Sequence, residues 1–204
     1  MDKAENPTFV VIPASWPEEA EAIAAIRRRV FIEEQGVPEA LEWEARDGDC
    51  DWFVARSLSD LSDRSEPGGR ARTVWHDFEA HSGTMQREIG PKWTALPTGA
   101  VDQSQVRQAP RVGDAVVGIA RLTPDAQVGR MAVLPDWRGR GIGTALLRAV
   151  LQCAREKGLA VVTLHAQTHA VPFYARQGFR AEGAVFMEAG IPHRRMTLVI
   201  HEDE

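Results

Sequence analysis

The sequence predicts an α/β (α+β) domain: one mixed, largely antiparallel sheet of six to seven strands with helices on both faces. Three observations carry this. Short apolar strands recur through the chain, and those of the first half connect as hairpins. A strand then runs straight into a glycine loop, a long helix and another strand, over 127–165. That helix, Gly141 to Lys157, is apolar around most of its circumference, with polar residues confined to Thr144, Arg148, Gln152 and Arg155. A helix so patterned is buried on two sides, as when it lies across a sheet beneath other elements.

Taken in order, Phe9–Ile12 reads as the first strand. Ser15-Trp16-Pro17-Glu18 has the form of a capping box with proline near the helix start, and Ile23, Ile26 and Val30 continue an apolar stripe at helical spacing. Phe31 to Asp49 is a loop or broken helix rich in acids. Asp51–Arg56 is the second strand. From 57 to 113 no period is sustained, and a loop of that length is foreign to a compact domain. The segment reads as an insertion, flexible or partly ordered, between domain parts 8–56 and 114–204. The roles open to it are surface, active-site lid or homodimer contact. Ala115–Leu122 and Gln127–Leu134 are the third and fourth strands, with a turn at Pro124-Asp125. After the long helix come a strand at Ala160–His165 and a last strand at Arg195–Ile200.

Composition bounds the function. The chain has 204 residues, 44% of them hydrophobic, enough for one well-buried domain. A net charge of −5 speaks against nonspecific nucleic-acid binding. The basic run Arg27-Arg28-Arg29 reads as the solvated face of a helix. Cys50 and Cys153 are far apart without metal-ligand spacing, which points to a reducing, cytoplasmic setting and to no metal. No apolar core of a signal peptide opens the chain, and no run approaches 18 apolar residues, so neither a leader nor a membrane partner is expected.

The chemistry-bearing stretch is Arg130-Met131-Ala132-Val133-Leu134-Pro135-Asp136-Trp137-Arg138-Gly139-Arg140-Gly141-Ile142-Gly143-Thr144. A strand enters a loop of alternating glycines that opens into a helix. Glycines let successive N–H groups converge, and the helix start adds free donors and the positive end of its dipole. This is an anion cradle, reinforced by Arg138 and Arg140. The spacing departs from the dinucleotide pattern Gly-x-Gly-x-x-Gly, because Thr144 stands where the third glycine belongs. It lacks the lysine of a nucleoside-triphosphate loop. What remains is Arg-x-x-Gly-x-Gly, met by Arg138, Gly141 and Gly143.

That pattern resembles the pyrophosphate-binding motif of the GNAT superfamily of N-acetyltransferases, whose co-substrate is acetyl-CoA. The stretch Ala170-Val171-Pro172-Phe173-Tyr174-Ala175-Arg176-Gln177-Gly178-Phe179 resembles the second signature of that superfamily, a short helix with Phe-Tyr followed by Gly-Phe starting a strand. Val30-Phe31-Ile32-Glu33-Glu34-Gln35-Gly36-Val37-Pro38, Leu164-His165-Ala166-Gln167 and Ala189-Gly190-Ile191-Pro192-His193 are similar to segments of the YjcF-like acetyltransferases. The resemblance implies a single GNAT-like domain with splayed central strands. It also implies that Met131, Ala132 and Val133 align the pantetheine arm, that 138–144 (Arg138, Gly139, Arg140, Gly141, Ile142, Gly143 and Thr144) hold the pyrophosphate, and that Tyr174 protonates the departing thiolate.

The acceptor implied is an amine of a small molecule or of a peptide or protein. A lysine-like amine, with a pKa of about 10.4, arrives protonated, so a base is needed. Glu34 is the first candidate and His165 the second. His169 and His193 are weaker ones, and none of these histidines forms a metal set. Two other readings stand beside transfer of acetyl: a non-catalytic acyl-CoA-binding sensor, and transfer of longer acyl chains.

Overall fold

The computed structural model describes residues 9–58 and 115–200. The expected insertion lies outside the described residues apart from Ser57 and Leu58. Seven strands form one sheet: β1 (Phe9–Ala14), β2 (Asp51–Ser57), β3 (Val116–Leu122), β4 (Gln127–Val133), β5 (Val161–Gln167), β6 (Arg180–Glu188) and β7 (Ile191–Val199). Their spatial order is β1-β2-β3-β4-β5-β7-β6, and every neighbouring pair is antiparallel except β4 and β5.

Two cores flank the sheet. On one face α3 (Ile142–Glu156) buries Ile142, Leu146, Leu147 and Val150 against Phe53, Val117, Val128, Val162 and Leu164. On the other, α1 (Trp16–Arg27) buries Ile23 and Ile26 with Val30 and Phe31 against Trp52, Val54, Ile119 and Ala132. Gly118 permits the close approach of α3. A Cβ there would stand 3.1 Å from the Ala132 carbonyl oxygen and 3.1 Å from Leu146 Cδ1. Gly158, at φ +67°, ends the helix after Lys157, with Leu159 N–H donating to the Ala154 carbonyl.

The feature that makes a site is the parting of β4 from β5. They pair only at Gln127 with Thr163 and at Val128 with Leu164, and then diverge. On its other side β4 stays paired to β3, with a register shift between Ile119 and Arg121 opposite Arg130, whose φ is +49°. Such a bulge bends the strand and increases its twist. The backbone of Met131–Val133 is thereby left facing a gap that joins the α3 face of the sheet to the α1 face.

Four local expectations are corrected. The Ser15 side chain makes no cap bond, so the capping box is not formed; the helix start is closed by backbone, Glu19 N–H to the Ser15 carbonyl at 2.9 Å. The helix does not run on regularly to Val30 but widens to a π-helical turn at Arg28–Glu34, followed by the single turn α2 (Glu39–Glu42) and a 3₁₀ turn at Ala45–Asp49. The basic run is not one solvated face. Arg28 and Arg29 are exposed, while Arg27 is wholly buried against Glu42 and Asp47. The last strand begins at Ile191, four residues before the expected Arg195, because 193–194 pair with β5 and 191–193 pair with β6 across a tight turn.

Candidate active site

The glycine loop sits where β4 gives way to α3. Gly139 (φ +74°) and Gly141 (φ +83°) both adopt the left-handed conformation that side chains avoid, and a Cβ on either would meet nothing within 4 Å. The loop is therefore an open concavity. Gly141 caps α3 without a side chain, so the N–H groups of the first turn stay free to face an anion. Gly143 is the second residue of α3, within its first turn. A Cβ there would stand in ordinary contact, 3.7 Å from the Phe173 ring of α4 (Val171–Ala175), which packs beside it. Arg140 stacks over Trp137 at 5.0 Å, at the rim of the loop.

Tyr174 projects from α4 across the gap to β4. Its ring is held edge-on by Phe173 and Phe179, with centroids at 4.9 and 5.9 Å. Its phenol donates a hydrogen bond to the Met131 Sδ, at 3.6 Å. Thioether sulfur is a weak acceptor, so the phenol proton is lightly held. Burial pushes the phenol up to about 12, and it stays protonated across the neutral range.

Glu34 and Arg138, assigned by sequence to base and to phosphate binding, meet each other. The carboxylate accepts from Arg138 Nη1 at 2.8 Å and Nη2 at 2.7 Å, while Arg138 Nε donates to the Val133 carbonyl at 2.9 Å. The hydrogen bond from Arg138 holds Glu34 below the usual carboxylate range. Next to it, Gln167 donates to Gln35 Oε1 at 2.8 Å and ties β5 to the π-helical turn.

His165 stands on the α1 face of β5, alternating with Leu164 and Ala166, which enter the α3 core. Its Nδ1 lies 2.8 Å from Glu188 Oε2, and its edge packs on Phe186 at 4.9 Å. His193 stacks on the same Phe186 and bonds through Nδ1 to the Ile191 carbonyl at 2.9 Å. His169 is exposed. Glu34, Arg138, Met131, Tyr174, His165, His193 and Glu188 all line one cleft of about 840 Å³.

Sequence reasoning missed two groups of residues. Glu188 and Phe186 were invisible because their positions depend on how the β6–β7 hairpin curls over β5. The other is a buried charge network: Arg27 with Glu42 and Asp47, Arg121 with Asp47 and Glu44, and Arg130 with Glu42 and Glu44. Trp43 and Trp52 cover Arg27 at 4.8 and 5.6 Å. Its available signal was the spacing Glu42-x-Glu44-x-x-Asp47 within the acid-rich loop. The network pins that loop to β3 and to the bulge at Arg130, and so fixes one wall of the cleft.

Comparison with known proteins places this geometry. Residues 102–200 match the family model of the acetyltransferase (GNAT) domain. A Bacillus subtilis protein provisionally named an acetyltransferase is 26% identical over 175 residues, covering 84% of either chain. The Bacillus subtilis N-acetyltransferase YjcF, itself uncharacterized, is 40% identical over 68 residues, which are 33% of this chain and 49% of YjcF; that likeness spans about half of the relative. The crystal structure of a provisionally named N-acetyltransferase from Lactobacillus plantarum superposes with a TM-score of 0.61 at 21% identity, over 93% of this chain and 97% of that one, a likeness of fold.

Proposed function

We propose that this chain, whose residues 102–200 match the GNAT acetyltransferase domain, is an acetyl-CoA-dependent N-acetyltransferase acting on an amine of a small molecule or of a peptide or protein. The observation that carries the reading is Tyr174, a buried, protonated phenol held across the gap from β4 with only a sulfur as its hydrogen-bond partner among the described residues. A group so placed is suited to give its proton to a thiolate.

The residues divide the work. The open loop at Gly139 and Gly141, the first turn of α3 and Arg138 suit the pyrophosphate of coenzyme A. The unpaired edge of Met131–Val133 offers backbone groups to the pantetheine arm and the acyl carbonyl. The acceptor, an ammonium ion in water, gives one proton to a base and attacks the thioester carbon. The C–S bond breaks as the carbonyl re-forms, Tyr174 protonates the sulfur, and the amide nitrogen sheds the proton that restores the phenol. The sum is an amide, a thiol and one proton released. Of the two candidate bases, Glu34 is tied by both oxygens to Arg138 and held ionised, which makes it a poor proton acceptor; the geometry favours His165.

Titration calorimetry with acetyl-CoA, followed by thiol-release assays over a panel of primary amines, tests the reading. Binding with thiol release supports it. Binding without release on any amine supports a non-catalytic acyl-CoA sensor, and absence of binding to acetyl-CoA and coenzyme A removes both. Repeating the release assay with longer acyl thioesters settles chain length.

A further inference from the structure

We propose that His165 and Glu188 form a general-base dyad on the acceptor face of the sheet, and that the acceptor is a cationic amine drawn in by the Glu188 carboxylate. This rests on the transferase reading above and deepens it.

The gap between β4 and β5 opens on both faces of the sheet. Met131 and Tyr174 pack with the core on the α3 side, whereas the tip of the β6–β7 hairpin, through Ala189 and Ile191, packs with the core on the α1 side. His165 points to that second side, as the alternation along β5 requires. An acyl group held in the gap therefore has the thiolate-protonating phenol on one face and the imidazole on the other. Acid and base are thus kept apart, each on its own face, and His165 stands on the face away from Tyr174.

Glu188 sets what the imidazole does. Its Oε2 lies 2.8 Å from His165 Nδ1. A carboxylate accepts only, so Nδ1 carries the proton, and in the neutral ring it is Nε2 that keeps the lone pair. The edge contact with Phe186 limits rotation of the ring. Base and orienting carboxylate thus stand in the relation known for imidazole bases generally. Glu188 sits at the end of its strand and about half of its side chain is exposed, so its charge also reaches the approaching ammonium ion. The step balances: Nε2 takes one N–H proton from the ammonium, the freed lone pair attacks the acyl carbon, and the imidazolium beside Glu188 returns the proton to solvent. Glu188 is a positioning residue; His165 is the catalytic one.

The test has two arms on the full chain. In the first, protein carrying ¹⁵N-histidine is observed by long-range proton–nitrogen correlation, with His165→Asn identifying the peak. The expected state of His165 is the Nδ1–H tautomer, reverting in Glu188→Ala toward the Nε2–H form that a free imidazole favours, and kept in Glu188→Gln, whose amide oxygen still accepts. An Nε2–H form in the wild type, or no change in Glu188→Ala, overturns the dyad. In the second arm, thiol release is measured with acetyl-CoA and a panel of alkylamines and arylamines. His165→Asn is expected to lower kcat with alkylamines by about 100-fold or more, with acetyl-CoA affinity unchanged. Glu188→Gln is expected chiefly to raise KM for the alkylamine. Loss confined to His193→Asn, or wild-type turnover of neutral arylamines alone, overturns the proposal. Acetyl-CoA binding with no turnover of any amine overturns the transferase reading itself, and the base with it.

Discussion

Arg138 grips both carboxylate oxygens of Glu34, 104 residues away in sequence, and so joins the phosphate loop to the π-helical turn on the acceptor side. Both side chains are partly exposed, so the pair adds little to stability, on the order of 0–1 kcal/mol. Its consequence is electrostatic. A carboxylate bound to the loop arginine is a like charge beside an incoming pyrophosphate. Glu34→Gln keeps the shape and removes that charge. Acetyl-CoA affinity is expected to rise several-fold in low salt, with the gain fading as ionic strength increases. Calorimetry at two salt concentrations reads this directly; weaker binding would mean that Glu34 serves to position Arg138.

Tyr174→Phe removes one oxygen from a ring whose packing against Phe173 and Phe179 remains. Turnover is expected to fall by about 10- to 100-fold, with acetyl-CoA affinity within about twofold, because the acid acts only as the C–S bond breaks. Burial raises the phenol to about 12, so Tyr174 stays protonated over the usual assay range and contributes no basic limb below about pH 10. Normal turnover in Tyr174→Phe would mean that water protonates the thiolate and the tyrosine only packs.

How far the sequence reaches can be judged from these residues. The strand–loop–helix unit was legible because its order is local: the glycine spacing, the apolar helix and the following strand are contiguous, and the structure keeps them at Gln127–Val133, Ile142–Glu156 and Val161–Gln167. The gap between β4 and β5 was legible only through family resemblance, since its cause is a bulge opposite Arg130. The pairing of Glu34 with Arg138 and of His165 with Glu188 was not legible. Each joins distant segments whose meeting depends on the π-helical turn and on the curl of a hairpin. Buried Arg27 looked like its exposed neighbours because only the tertiary position of Glu42 and Asp47 separates them.

Two glycine substitutions should separate folding from binding. A Cβ at Gly118 presses on the Ala132 carbonyl and on Leu146 and Ile142, so Gly118→Ala is expected to destabilise by about 1–3 kcal/mol, read as a lower denaturant midpoint. A Cβ at Gly141 meets open space, so Gly141→Asp costs chiefly the strain of its left-handed backbone, on the order of 1 kcal/mol. It does, however, put a negative charge in the cradle. Acetyl-CoA binding should fall by about 100-fold or more while the chain stays folded by circular dichroism; unchanged affinity would remove the loop from the donor site.

Asp47 tests the charge network. It is buried between Arg27 at 2.6 Å and Arg121 at 2.5 Å. Burial alone would push its carboxyl up, but the hydrogen bonds and charges of the two arginines outweigh burial and hold it below the usual range. The sign follows from linkage. With a native pKa below the unfolded value of about 3.9, the ionised form stabilises the fold at pH values above that, and the contribution is lost as pH falls through the lowered native value. Asp47→Asn leaves two buried guanidinium groups without their shared anion, at a cost of about 3–5 kcal/mol near neutral pH. The difference between wild type and variant should shrink as the solution is acidified, because the wild type loses the same charge. Denaturant unfolding at a series of pH values from 7 downward measures it. A difference that stays constant with pH would mean that packing around Trp43 and Trp52, rather than the ion pairs, holds this wall of the cleft in place.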